Sequence, residues 1–178
     1  MEPPGADVVI VRHGDIGVKS ARVQTRMERR LRENIRAMLD MRNVDGHVER
    51  EWGRLFVRTD CPTVATDAVT DVFGVVSASP ALSVDPDLDA ITAALAETAS
   101  EQYTGGSFAV DARRTGEQDF TSQEVGELGG EAIWEAVEDE FDPEVDLDDP
   151  DLRFSVEVRE TEGFVFLETS EGPGGLPV

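Results

Sequence analysis

Gly105-Gly106-Ser107-Phe108-Ala109-Val110-Asp111-Ala112-Arg113-Arg114-Thr115-Gly116-Glu117-Gln118-Asp119-Phe120 reads as a short buried strand, Ser107–Arg113, that delivers two adjacent arginines into a glycine turn. Arginine presents a rigid fork of N–H donors that fits phosphate oxygens, and a turn glycine lets a bulky backbone approach closely. Arg113, Arg114 and Gly116 are therefore candidate phosphate or RNA contacts. The plainer alternative is a solvated arginine pair balancing the acids that follow. Just downstream, Thr121 and Glu124 stand at capping-box spacing, so Thr121 or Ser122 starts a helix running to about Glu138. Val125, Leu128, Ala132, Ile133, Ala136 and Val137 form its apolar side. The pair Gly129-Gly130 inside this helix costs roughly 1 kcal/mol per glycine relative to alanine and points to close packing against another backbone.

Outward from this core, Leu88, Ile91, Leu95 and Thr98 place a helix before the strand, ending near Tyr103. After the capped helix, an Asp- and Pro-rich run (142–151) reads as a link to two closing strands, Arg153–Arg159 and Phe164–Thr169, turning at Glu162-Gly163. Gly172-Pro173-Gly174-Gly175 reads as a linker.

The N-terminal half opens with the β-rich run Val8–His13, and a long helical pattern follows from about Val18 to Met41. There Val23, Met27, Leu31, Ile35 and Met38 recur at steps of four and three and share one face. Arg22, Arg26, Arg29, Arg30 and Arg36 fall on the opposite face, with Glu33 among them and Lys19 at the start. A solvated helix face is the usual fate of such charges, but a basic stripe stands out in a chain short of positive charge. Strands His47–Glu51 and Arg54–Thr59 are joined by a Trp52-Gly53 hairpin turn. Pro62 starts a helix over Val64–Phe73, and Val75–Val84 is extended but broken by Pro80. The order β-α-β-β-α-β is that of a ferredoxin-like fold. The expected architecture is α+β, two consecutive α/β units spanning 1–80 and 81–178, with a boundary near residues 80–86 and no single sheet running through both.

Charge limits what the chain can bind. Among 178 residues, 38 acids face 16 basic residues, Lys19 being the one lysine, for a net charge of −22. Dense carboxylates with almost no lysine fit a chain adapted to concentrated salt. Residues 1–58 hold 12 basic and 9 acidic residues, whereas residues 59–178 hold 4 and 29, so only the first stretch offers a polyanion a favourable charge balance. A single cysteine, Cys61, rules out an internal disulfide and an all-cysteine metal site. No stretch approaches the ~20 apolar residues of a membrane span and no signal pattern opens the chain, so a cytoplasmic protein is expected. His13 and His47 are the only histidines, and neither has a nucleophile or metal-ligand spacing beside it.

Taken together, Arg113-Arg114 with Asp119-Phe120, Glu127-Leu128-Gly129-Gly130, Val145-Asp146-Leu147 before Pro150-Asp151, Ser155-Val156-Glu157-Val158-Arg159 and Gly174-Gly175-Leu176-Pro177-Val178 resemble the N-terminal part of the tRNA 4-thiouridine synthases, the tRNA sulfurtransferase family. The first half resembles it more loosely, through Gly14-Asp15-Ile16, Lys19 and Asn34-Ile35-Arg36. Ser20 stands where the family usually has glycine, and Asp148-Asp149 where it often has Arg-Asn. The resemblance implies a ferredoxin-like domain followed by a THUMP domain, the latter's profile starting as early as about residue 60. It implies that the pair holds the tRNA acceptor 3′ end for a downstream pyrophosphate-loop domain, and that the family member works as a homodimer. ATP and Mg would belong to that catalytic domain, with no cofactor and no catalytic residue in these 178 residues. An acidic module that docks a basic protein is the alternative, and a standalone enzyme the remote third reading.

Overall fold

The computed structural model describes residues 1–14 and 21–178. In chain order these form β1 (Val8–His13), α1 (Ala21–Met41), β2 (His47–Glu51), β3 (Arg54–Arg58), α2 (Pro62–Val69), β4 (Val75–Val84), α3 (Leu88–Gln102), β5 (Ser107–Arg114), α4 (Ser122–Val137), β6 (Glu144–Val145), β7 (Leu152–Val158), β8 (Gly163–Phe166) and β9 (Ser170–Glu171). The chain divides into two compact units, residues 6–81 with 168–178, and residues 1–5 with 82–167.

In the first unit the strands lie in the order β2-β3-β1-β4, every pair antiparallel, which is the ferredoxin-like arrangement the sequence order predicts. Trp52 and Gly53 both take positive φ, +52° and +73°, as a two-residue hairpin between β2 and β3 requires. The Trp52 ring then stands edge-on to Phe56, 5.8 Å between centroids. Leu31, Ile35 and Leu39 of α1 and Ala65, Ala68 and Val69 of α2 bury against Val9, Val11, Leu55 and Val57 of the sheet.

Residues 168–178 belong to this unit, and they correct the reading of the glycine run as a linker. β9 pairs with Ser77 and Ala78 of β4, and Gly172 N–H donates to the Val76 carbonyl at 2.8 Å. Gly174 N–H donates to the Val75 carbonyl and Gly74 N–H to the Gly174 carbonyl, each at 2.8 Å. A Cβ on Gly172 would lie 2.2 Å from the Val75 carbonyl oxygen, so no larger residue fits there without displacing backbone.

The second unit has the order β8-β7-β5-β6, with β5 parallel to both β6 and β7 and antiparallel pairing between β7 and β8. Its helices pack through Ile91, Leu95 and Ala99 of α3 and Val125, Ile133 and Val137 of α4, over Phe108, Phe154 and Val156. The predicted capping box forms: Glu124 N–H donates to Thr121 Oγ1 and Thr121 N–H donates to Glu124 Oε1, both at 3.1 Å. Of the glycine pair, only Gly129 serves helix packing, since a Cβ there would lie 2.7 Å from Leu95 Cδ1; at Gly130 it would meet nothing within 4 Å.

Three further expectations are corrected. The 142–151 run is more than a link, because Glu144 and Val145 pair with Ser107 and Phe108. β4 is not broken at Pro80, which lies in register opposite Val9. A fixed φ near −65° is compatible with extended chain, and only the donor is lost. The unbroken β4 gives residues 75–81 to the first unit and 82–84 to the second, and the strands are hydrogen-bonded in one sheet, so the expectation that no single sheet runs through both does not hold. Among the described residues no helix is long and apolar enough to cross a membrane.

Asp151 ties the start of β5 to the start of β7. Its carboxylate Oδ2 accepts from Ser107 N–H at 2.9 Å and Ser107 Oγ at 3.2 Å, while its own N–H donates to Ser107 Oγ at 3.0 Å. Beside it, the buried Tyr103 hydroxyl donates to the Gly106 carbonyl at 2.5 Å, and the ring stands edge-on to Phe141. Burial first, then the negative charges of Asp142, Asp151 and Glu144, raise the Tyr103 pKa above its ordinary 10.0.

Two outcomes follow from this corner. Asp151→Ala should destabilise the chain by about 2–3 kcal/mol in denaturant unfolding, because it removes hydrogen bonds to a charged acceptor. Asp148→Ala, an exposed acid three residues away, should change stability by less than about 0.5 kcal/mol. Tyr103 is the sole tyrosine, so ultraviolet titration of its phenolate should give a midpoint above 10.0 in the folded chain and at the ordinary value after unfolding. The stabilisation linked to this raised pKa is complete below about pH 10 and is lost as pH climbs through the folded value.

Candidate nucleic-acid interface

The apolar stripe of α1 is buried at Leu31, Ile35 and Leu39, with Met38 packed partly against the core. At about 100° per residue, Arg22, Arg26, Arg29, Arg30 and Arg36 then occupy an arc of about 120° on the far side. All five are exposed. With a rise of about 1.5 Å per residue the stripe is about 21 Å long. Arg36 Nη2 reaches the Val48 carbonyl at 3.5 Å. The side chains of Arg22, Arg26, Arg29 and Arg30 make no hydrogen bond or ion pair among the described residues. Glu33 lies within the arc and does not pair with them. Lys19 falls outside the described residues.

Four other arginines of this unit are held internally. Arg42 bonds the Asp71 carboxylate, Arg50 Nε donates to Glu28 Oε2 at 2.5 Å, and Arg58 Nε to Glu49 Oε1 at 2.7 Å. Arg12 Nη1 donates to Ser79 Oγ at 3.0 Å.

At the end of β5 the two neighbouring arginines part company, because strand alternation sends them to opposite faces. Arg114 Nη1 donates to the Gly116 carbonyl and to Gln118 Oε1, each at 3.2 Å. Gln118 Nε2 in turn donates to the Arg159 carbonyl at 2.9 Å, tying the turn to the end of β7. Gly116 has φ +102°, and a Cβ there would lie 2.6 Å from Glu160 Cγ. Arg114, Gly116 and Gln118 therefore shape the turn. Arg113 is exposed and its side chain makes no bond among the described residues. Gln118 escaped the sequence reading; its one signal is that it stands four residues beyond Arg114.

The remaining chemical candidates are occupied by the fold. His13 Nδ1 lies 3.2 Å from the Gly14 carbonyl, and its Nε2 lies 3.8 Å from Glu28 Oε1. Cys61 N–H donates to Thr59 Oγ1 at 3.1 Å, with Sγ 3.4 Å from the same hydroxyl, immediately before α2. Among the described residues no three His, Cys, Asp or Glu side chains are grouped so as to hold a metal ion.

Two family models match this chain, the ThiI ferredoxin-like domain over residues 8–79 and the THUMP domain over residues 85–168. A probable tRNA sulfurtransferase of Halobacterium salinarum is 63% identical over 178 residues, covering 100% of this chain and 45% of the relative. Its counterpart in Methanosarcina acetivorans is 46% identical over 175 residues, covering 97% of this chain and 42% of the relative. The chain thus spans less than half the length of these curated relatives. Among solved structures, PH1313 from Pyrococcus horikoshii superposes with a TM-score of 0.83 at 32% identity, over 97% of this chain and 57% of that one. A 4-thiouridine synthetase solved in complex with RNA and bound ATP gives a TM-score of 0.79 at 26% identity, over 97% and 44%. With both units matched in order along the chain, this protein belongs to the tRNA sulfurtransferase family, of which it carries the ferredoxin-like and THUMP domains.

Proposed function

We propose that this chain is the tRNA-gripping part of a tRNA sulfurtransferase, holding the acceptor 3′ end for a pyrophosphate-loop domain that makes 4-thiouridine with ATP and Mg. The observation that carries the reading is the α1 stripe. In a chain of net charge −22, four arginines on one helix face stay unpaired among the described residues while Arg42, Arg50 and Arg58 of the same unit find carboxylates. Exposed guanidinium forks in that setting suit an external polyanion, whose phosphates and 2′-hydroxyls arginine recognises without reading sequence. The RNA bound to the related 4-thiouridine synthetase supports the same reading. Assembly as a homodimer belongs to the proposal for the longer protein, as does its cytoplasmic location.

In this proposal the arginines divide the labour between them. The α1 stripe grips backbone phosphates, and Arg113 at the β5 turn addresses the unpaired 3′ end, with Lys19, which precedes α1 in sequence, as a further phosphate contact. Arg114 and Gly116 hold the turn on which Arg113 sits.

Binding of tRNA with and without its 3′ end separates these roles. Replacing Arg22, Arg26, Arg29 and Arg30 by alanine should weaken both RNAs together, by at least tenfold. Arg113→Ala should weaken intact tRNA about tenfold, roughly 1.4 kcal/mol, and truncated tRNA much less. Unchanged affinity in the four-arginine variant would refute the reading.

Salt provides a second check. Repulsion from the carboxylates is screened as the Debye length shrinks from about 8 Å at ~0.15 M to about 3 Å at ~1 M. Counterion release weakens binding over the same range, with a slope of roughly −0.7 per neutralised phosphate on single strands. The two oppose each other, so affinity measured across this range should fall less steeply than the count of contacting arginines dictates.

A further inference from the structure

A second surface, wholly within the second unit, has the opposite character. α4 stands beside the edge of β5, and between them lies a groove of about 730 Å³. Five consecutive β5 residues, Phe108 to Ala112, line it. A strand presents consecutive residues in this way at its edge, where backbone as well as alternate side chains are open. β6 covers that edge only at Ser107 and Phe108. Beyond it the chain turns away at Asp146, whose side chain accepts from Asp148 and Asp149 N–H.

Strand alternation fixes which backbone groups are left. The Phe108 carbonyl accepts from Asp146 N–H on the β6 side, while Thr115 N–H donates to the Val158 carbonyl on the β7 side. N–H and C=O groups alternate sides along a strand, so those of Val110 and Ala112 point away from β7, into the uncovered edge. An edge of this kind is a template for one more strand.

The groove is apolar and its charges are all of one sign. Val145 and Leu147 close one end, half or more exposed, and Trp134 of α4 is 38% exposed. Asp111, Glu127 and Glu131 are the charged residues of the lining, which holds no cation. Gly126 and Gly130, one helical turn apart on α4, leave the floor open, since a Cβ on either meets nothing within 4 Å. Carboxylates on the rim repel a phosphate backbone, so this is not a place for RNA.

We infer that the groove takes an extended basic polypeptide segment of a protein partner. The segment adds as a strand to β5 at Val110 and Ala112, with the side chains of one face toward Glu127, Glu131 and Trp134 of α4, which covers the Val110 side of the strand, and those of the other face toward Asp111. This site does not depend on the tRNA reading and involves none of the residues proposed to bind RNA.

The test uses a fluorescent heptapeptide of alternating arginine and valine, a matching glutamate–valine peptide and a heptauridylate, each titrated by anisotropy at low and high salt. The arginine–valine peptide should bind at least tenfold more tightly than the glutamate–valine peptide, and should slow hydrogen exchange at the Val110 and Ala112 amides. Gly126→Leu with Gly130→Leu fills the groove without strain, so it should weaken the peptide at least tenfold while leaving the melting temperature no lower. Equal binding by the filled variant, or no protection of those two amides in the unaltered chain, would overturn the proposal. Binding of heptauridylate that is lost in the filled variant would overturn it too, by making the groove an RNA site.

Discussion

Electrostatic repulsion is the constraint every other feature of this chain answers to. Thirty-eight acids against sixteen basic residues give a surface on which any cation has many anionic neighbours within reach. Most arginines of the ferredoxin-like domain settle locally, with Arg50 on Glu28, Arg58 on Glu49 and Arg42 on Asp71. Exposed pairs of this kind contribute little stability each, so their main effect is to remove positive charge from the list available to a ligand. Arg22, Arg26, Arg29 and Arg30 escape that fate because the apolar seam at Leu31, Ile35 and Leu39 turns their side of α1 outward. The hydrophobic periodicity of one helix thus decides where the chain can meet a polyanion.

The same constraint gives the THUMP domain its two characters. Its four arginines lie on β5 and β7 or just beyond them, and Arg114 is committed to the turn through Gly116 and Gln118. Arg113, at the turn, makes no side-chain bond among the described residues. The opposite chemistry gathers along α4, where Glu127 and Glu131 overlook an apolar groove with an open strand edge. One domain therefore offers a small positive turn and a larger acidic, apolar groove, built from the two ends and two sides of a single strand.

Much of this was legible in the sequence, and the failures have physical causes. β1, α1, the Trp52-Gly53 hairpin and the Thr121–Glu124 capping box were readable because each has a periodicity or a side-chain spacing of its own. β6 and β9 were not, since two-residue strands carry no pattern and exist only because β5 and β4 offer an edge. Identical neighbours also hid their differences: Gly129 meets Leu95 while Gly130 faces open space, and Arg114 holds the turn while Arg113 does not. Asp151 is one acid in an Asp-rich run, and only its three-dimensional meeting with Ser107 marks it as a structural tie. The glycines after Glu171 read as a linker by composition, yet they are hydrogen-bonded back onto β4. The arginine stripe itself was visible; that Arg22, Arg26, Arg29 and Arg30 stay unpaired among the described residues of so acidic a chain was not.

Photo-crosslinking of tRNA to the intact chain, with the attachment points read by mass spectrometry, addresses the central claim most directly. The account predicts crosslinks on the exposed face of α1 around Arg22 to Arg30 and at the β5 turn around Arg113, with α4 unmodified. Crosslinks that avoid α1 and gather along α4 would contradict it, because RNA would then be bound by the acidic groove rather than by the unpaired arginines.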